Sequence, residues 1–323
     1  MGPLVHGVGH RPIRRHQPAR HGPGEFQNNP LTGLLFFAAI AWGSFAAGVP
    51  EVLTGGLLGL VTATLSAIWL RVDKEAFVAG LYGYNGILVG LALPTFPPAS
   101  ALLWCHIVLG AAVSVVAMLG AVNVTRTWRL SALTFPFVLT TWLLLLGAFA
   151  FAGLGQEVPP FADELGPLAL AASNPLDLAA FVGGILNSIL QVFLKGNIIS
   201  VLLFLAGLLV SSMPAAVFAV AGAVLAVSTA HLLGAESAIV SAGLLGFSPV
   251  LTAIALGSVF NRPSPRVAVY AAIGTVFTVV AQGALNVALA PLGIPALTAP
   301  FVLAVWLFLL PQQQFASSED AHK

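Results

Sequence analysis

One segment of this chain occurs twice. Residues 132–142 read Ala132-Leu133-Thr134-Phe135-Pro136-Phe137-Val138-Leu139-Thr140-Thr141-Trp142. Residues 296–306 read Ala296-Leu297-Thr298-Ala299-Pro300-Phe301-Val302-Leu303-Ala304-Val305-Trp306. Eight of the eleven positions are identical, 164 residues apart in a chain of 323. A spacing of half the chain implies two homologous halves, and few folds accommodate that. The solvent narrows the choice further. Hydrophobic residues make up 58% and charged residues 7%, where a soluble domain carries roughly 25% charged. The lipid bilayer is therefore the solvent for most of the chain, and doubled halves in such a chain imply a transport pathway between them.

The charge balance excludes other classes. A net charge of +1 argues against a nucleic-acid surface or an acidic partner. The lone Cys105 excludes an intrachain disulfide. Residues 1–30 hold His, Arg, Pro and Gly without an apolar h-region, so no signal peptide is expected. Residues 1–24 read as a disordered basic N-terminal arm whose four His do not form a metal site.

Crossing about 30 Å of hydrocarbon takes roughly 20 apolar residues. Runs of that kind are read at 31–49, 52–70, 79–93, 101–122 and 133–153, and again at 197–212, 214–233, 238–258, 267–290 and 297–311, with a shorter piece at 176–192. Runs broken by Gly and Pro are candidate half-helices. With the N-terminus inside, Arg71, Lys74, Arg126, Arg129, Arg262 and Arg266 all fall on the cytoplasmic side, and the opposite loops lack Lys and Arg. Lys195 is the one basic residue on the far side. Five spans per half is an odd number, so the second half inserts upside down. The expected fold is all-α and integral to the cell membrane, with both termini cytoplasmic. It has ten transmembrane helices as two inverted five-helix repeats, each with a re-entrant half-helix. The repeats are 25–153 and 176–311, joined by an extracytoplasmic connector at 154–175 and followed by a tail at 312–323.

Three doubled elements carry the chemistry. In Ala-Leu-Thr-x-Pro-Phe, proline suits a first helical turn and Thr is positioned to cap it. Two copies in inverted halves also bring Thr134 and Thr298 near a pseudo-two-fold axis. The second element, Gly80-Leu81-Tyr82-Gly83-Tyr84-Asn85-Gly86-Ile87-Leu88-Val89-Gly90, matches Gly243-Leu244-Leu245-Gly246-Phe247-Ser248-Pro249-Val250-Leu251 at an offset of 163. Its glycines allow close helix packing. The pairs Tyr84/Leu88 and Phe247/Leu251 set a flat ring and an aliphatic side chain on one helical face. The third element pairs the region of Phe26 with that of Gln191, an amide in an apolar approach that needs partners. Two Asn-Pro pairs, Asn29-Pro30 and Asn174-Pro175, suggest a water channel, but their offset of 145 excludes repeat equivalence. No phosphate loop, metal spacing or nucleophile with a base is present, so the chain is expected not to be an enzyme and to need no cofactor. No ionisable residue stands well inside a span, which argues against ion coupling; Asp177 and Glu236 are the nearest.

Leu81-Tyr82-Gly83-Tyr84-Asn85-Gly86 and the two Thr-x-Pro-Phe elements resemble the urea transporter family, over roughly residues 23–311. The resemblance implies a homotrimer with one pore per protomer, conducting urea passively through a narrow slot walled by apolar side chains and edged by hydrogen-bond acceptors. It assigns Phe26, Tyr84 and Leu88 to the first-half slot and Val192, Phe247 and Leu251 to the second. Thr134 and Thr298 would take the constricted middle and Gln191 one polar mouth. Flat apolar walls suit a planar neutral amide, and the site must also release it. Three positions depart from the family pattern: Pro23 stands where a glutamine is expected, Ser131 where a proline is, and Ser248 where an asparagine is. The first polar mouth is either lost or supplied by Gln27. The competing readings are a channel for another small neutral solute (a short-chain amide, ammonia or water), a proton-coupled urea or amide transporter using Asp177 or Glu236, and a non-transporting scaffold.

Overall fold

The computed structural model describes residues 29–96, 100–151, 177–190 and 198–311. Among these residues the chain forms thirteen α-helices and no strand. The first half holds α1 (Pro30–Ala46), α2 (Pro50–Trp69), α3 (Lys74–Val78), α4 (Leu81–Ala92), α5 (Ala101–Arg126) and α6 (Phe135–Ala150). The second holds α7 (Leu178–Leu190), α8 (Ile198–Ser211), α9 (Met213–Leu232), α10 (Ser237–Ser241), α11 (Phe247–Ile254), α12 (Pro265–Leu289) and α13 (Ala299–Leu309). A π-helical turn, Ala255–Val259, extends α11.

The duplication extends to helix boundaries. Shifting α2 and α3 by 163 residues lands on both ends of α9 and α10, and the starts of α5 and α12, and of α6 and α13, are 164 apart. Left-handed backbone recurs at the same offsets: Arg71 with Gly234, Gly80 with Gly243, Arg129 with Gly293, Leu133 with Leu297. Helix starts follow ordinary capping chemistry. Ser100 Oγ accepts from Leu103 N at 3.2 Å and Ser264 Oγ from Val267 N at 3.2 Å. Asn29 Oδ1 accepts from Leu31 N at 2.9 Å, with Pro30 in the first turn. That accounts for one Asn-Pro pair as a helix cap; the other lies outside the described residues.

Among the described residues four helices, α2, α5, α9 and α12, are long and apolar enough to cross a membrane, and six more are apolar but shorter. Two expected spans differ in form. The run at 79–93 is the twelve-residue α4, about 18 Å long. The run at 238–258 is broken into α10 and α11, because Gly243 takes a left-handed conformation (φ 74°) between them.

Membrane packing explains which residues face where. On α5, Gly110, Ala111 and Ser114 are buried, while Leu109, Val113 and Val116 are exposed. Lipid is as apolar as leucine, so helices associate through small residues that let backbones close. The contact between α2 and α4 is the extreme case: a Cβ on Gly90 would strike the Gly55 carbonyl, and one on Gly86 would strike Ala63. Across the halves, α1 packs antiparallel to α8. Thr32 Oγ1 donates to Gly207 O at 3.2 Å, Phe36 stacks on Phe204 at 4.7 Å, and Ser200 Oγ donates to Ala39 O at 2.9 Å.

Candidate functional site

The two copies of Ala-Leu-Thr meet, one from each half. Thr134 Oγ1 and Thr298 Oγ1 are 2.7 Å apart, and the two residues are 2% and 5% exposed. Each occupies the N-cap position of its helix, α6 or α13, but neither hydroxyl caps it. The capping reading is therefore replaced by a cross-half hydroxyl pair. The preceding residues, Leu133 (φ 53°) and Leu297 (φ 51°), are left-handed. That conformation is unfavourable for a branched side chain, yet it turns the chain so that each threonine faces the other.

Two indoles frame this pair reciprocally. Trp142 Nε1 donates to Pro295 O at 2.8 Å, and Trp306 Nε1 donates to Ser131 O at 2.8 Å. Both donors and both acceptors are related by the offset of 164. Contacts that map onto themselves when the halves are exchanged are the signature of a two-fold relation. At Ser131, where the expected residue is proline, this contact uses the backbone carbonyl, which either residue would supply, while its hydroxyl accepts from Leu133 N at 3.4 Å.

A cavity of about 460 Å³ opens beside the threonines, and Tyr84, Asn85, Thr134, Leu251 and Phe301 line part of it. Tyr84 and Leu251 thus come from opposite halves to one space with Thr134. Leu88, Phe247 and Thr298 do not line it. Leu88 is 5% exposed in a cluster with Leu93 and Phe137, and Phe247 stands half-buried at the start of α11. Phe26, Gln191 and Val192 lie outside the described residues.

Asn85 holds the site in place. Its Oδ1 accepts from Phe137 N at 3.1 Å, and its Nδ2 donates to Leu81 O at 3.1 Å and faces Met118 Sδ at 4.0 Å. The start of α6, and so Thr134, is tied to α4 through one buried amide. In the second half Ser248 replaces that amide and donates its hydroxyl to Leu297 O at 3.4 Å. The position equivalent to Met118 is Gln282, 2% exposed, whose Nε2 donates to Asn286 Oδ1 while its Oε1 has no partner among the described residues. The carboxamide has thus moved across the helix contact, from α4 in one half to α12 in the other. Sequence reasoning singled out Ser248 but missed Asn85 as an anchor and Gln282 altogether; an amide in the middle of an apolar run was the available signal for both.

Among the described residues, charged side chains keep to helix ends and turns. Asp177 Oδ1 accepts from Ala180 N at 2.7 Å at the start of α7, and Glu236 stands before α10. Among the described residues, none that line the cavity is charged.

Comparison with known proteins decides the family: residues 25–313 match the description "Urea transporter". The chain belongs to the urea transporter family. Urea transporter 1 of Ovis aries is 28% identical over 297 residues, covering 88% of this chain and 73% of that protein. Urea transporter 1 of Capra hircus matches at the same identity and coverage, and that of Rattus norvegicus at 27%. Family membership and the apolar helices make this a membrane-integral transporter, not an enzyme.

Proposed function

We propose that the protein is a passive channel for urea. The observation that carries this reading is the buried Thr134–Thr298 hydroxyl pair beside a space walled largely by rings and aliphatic groups, with no charged residue among the described ones that line it. Urea is planar and neutral. Its faces suit apolar walls, and its N–H and C=O groups can exchange partners with two hydroxyls that already bond to each other. Tyr84, Leu88 and Phe26 would wall the first half of the slot, Phe247, Leu251 and Val192 the second, with Gln191 at one mouth. Proton coupling has little support, because Asp177 and Glu236 stand outside the helices, away from this space.

The fold we infer is the ten-helix inverted repeat over 25–153 and 176–311, with α1, α2, α4, α5 and α6 as the five spans of the first repeat, α8, α9, α11, α12 and α13 as those of the second, and α7 as a re-entrant half-helix. The antiparallel contact of the equivalent helices α1 and α8 supports inversion, since a two-fold axis relating antiparallel helices runs perpendicular to both. The basic loops support cytoplasmic termini in a cell membrane, and a homotrimer is the expected assembly.

The test is stopped-flow light scattering of proteoliposomes challenged separately with urea, acetamide, ammonia and water, with and without a pH gradient. Urea flux well above that of empty liposomes and indifferent to the gradient is expected. Urea flux equal to the empty control refutes the proposal.

A further inference from the structure

Asn85 meets a need that recurs in the second half. The N–H groups in the first turn of a helix have no acceptor within that helix. In α6 the third residue is Phe137, and Asn85 Oδ1 takes its N–H at 3.1 Å. In α13 the third residue is Phe301, also buried. The place of the asparagine is held there by Ser248, whose hydroxyl donates to Leu297 O instead. Among the described residues Phe301 N has no acceptor.

The other side of the same contact has the complementary defect. In the first half Asn85 Nδ2 faces Met118 Sδ. The equivalent Gln282 brings a carboxamide whose Nε2 is committed to Asn286 Oδ1 at 3.0 Å, and whose buried Oε1 has no donor among the described residues. An N–H lacking an acceptor and a C=O lacking a donor thus flank the position that a carboxamide fills in the first half. Buried polar groups in folded proteins are paired with protein or with ordered water. Serine is shorter than asparagine by that carboxamide, which is roughly the space a single water needs. Ser248 can also take part, because its bond to Leu297 O is long at 3.4 Å and leaves its lone pairs free.

We propose that one buried water binds between α11, α12 and α13 in place of the carboxamide of Asn85. It accepts from Phe301 N–H and donates to Gln282 Oε1 and Ser248 Oγ, a partner set typical of a buried water. The water ties the start of α13, and so Thr298, to its neighbours as Asn85 ties Thr134. Neither Ser248 nor Gln282 lines the cavity, so this site is separate from the space of the permeant. The inference does not rest on urea being that permeant.

The experiment uses the full chain in proteoliposomes, labelled with 13C-carbonyl proline and 15N-phenylalanine. Pro-Phe occurs at 136–137, 160–161 and 300–301, so a spectrum filtered for that pair sets the Phe137 and Phe301 amides side by side. Water-edited solid-state NMR then reads which amide receives magnetisation from water. Transfer to Phe301 and none to Phe137 is expected, because Asn85 already occupies the second amide. Ser248→Asn supplies the missing carboxamide and should abolish the transfer to Phe301, and Gln282→Met removes an acceptor of the water and should weaken it. No transfer to Phe301 in the parent overturns the proposal, since a protein group would then meet that amide directly. Equal transfer to both amides overturns it, as does transfer to Phe301 that is unchanged in both variants, because the source would then be water in the cavity. The comparison of the two amides in the parent stands even where a variant fails to fold. Urea flux measured on the same proteoliposomes is a separate readout, so loss of the transport reading and loss of this one remain distinguishable.

Discussion

Thr134→Val and Thr298→Val, made singly and together, separate the structural role of the central hydroxyls from their role in transport. Valine keeps the shape of threonine and removes the hydroxyl. In the parent protein the two oxygens satisfy each other at 2.7 Å, and neither is used in a helix cap. A single replacement strands the remaining hydroxyl in a site only 2–5% exposed. A buried unsatisfied polar group costs about 1–3 kcal/mol, so each single variant should lose stability in that range. Replacing both partners by apolar groups of the same shape is nearly neutral, and the double variant should melt close to the parent. A double-mutant cycle on detergent-solubilised protein reads this as a coupling equal to the two single losses together, about 2–6 kcal/mol. Transport should follow a different order. If the hydroxyls replace water on the permeant, the double variant is the slowest despite its recovered stability, by about tenfold for a lost hydrogen-bond contribution near 1.4 kcal/mol. Additive stability losses would refute the hydroxyl pair. A stable double variant conducting urea at the parent rate would refute its part in conduction.

Asn85→Leu removes the acceptor for Phe137 N and should destabilise the protein by about 1–3 kcal/mol, whereas Ser248→Ala, which loses a bond of 3.4 Å, should cost under about 1 kcal/mol; equal melting shifts would contradict the asymmetry between the halves. Gly90→Ala drives a methyl group into the Gly55 carbonyl and should cost about 3 kcal/mol or more, whereas Gly120→Ala, with nothing within 4 Å, should leave the melting temperature unchanged. Combining Ser248→Asn with Gln282→Met rebuilds the first-half arrangement in the second half, and the pair should be more stable than the sum of its single changes by about 1 kcal/mol, read from the same thermal melts.

How much of this was legible in the sequence depends on the range of the interaction. The duplication needed only identity at a fixed offset, and it led to the Thr134–Thr298 meeting point and to helix ends within a few residues. The breaks around Gly80 and Gly243 were visible as glycine, but the split of 238–258 was not, because both sides of Gly243 are apolar and a long run reads as one span. Interactions between distant segments were hidden. Asn85 bonds to Phe137, 52 residues on, and Trp142 to Pro295, 153 residues on; an amide in an apolar run marks Asn85 as needing a partner, but nothing local says which partner either side chain finds. The Thr hydroxyls were open to a capping interpretation for the same reason, since a helix start looks alike whether its side chain turns inward or across.

The reciprocal indole bonds bear on how the molecule spends its time. A carrier that rocks one half against the other must part them at the middle on each cycle. Here that motion would break both indole–carbonyl bonds and the hydroxyl pair together, because exchange of the halves maps each contact onto its twin. At about 1 kcal/mol each, the barrier recurs with every molecule carried. A static aperture avoids it. Flux through such an aperture should rise only gently on warming, much as diffusion in water does, and it should be the same in either direction under equal gradients.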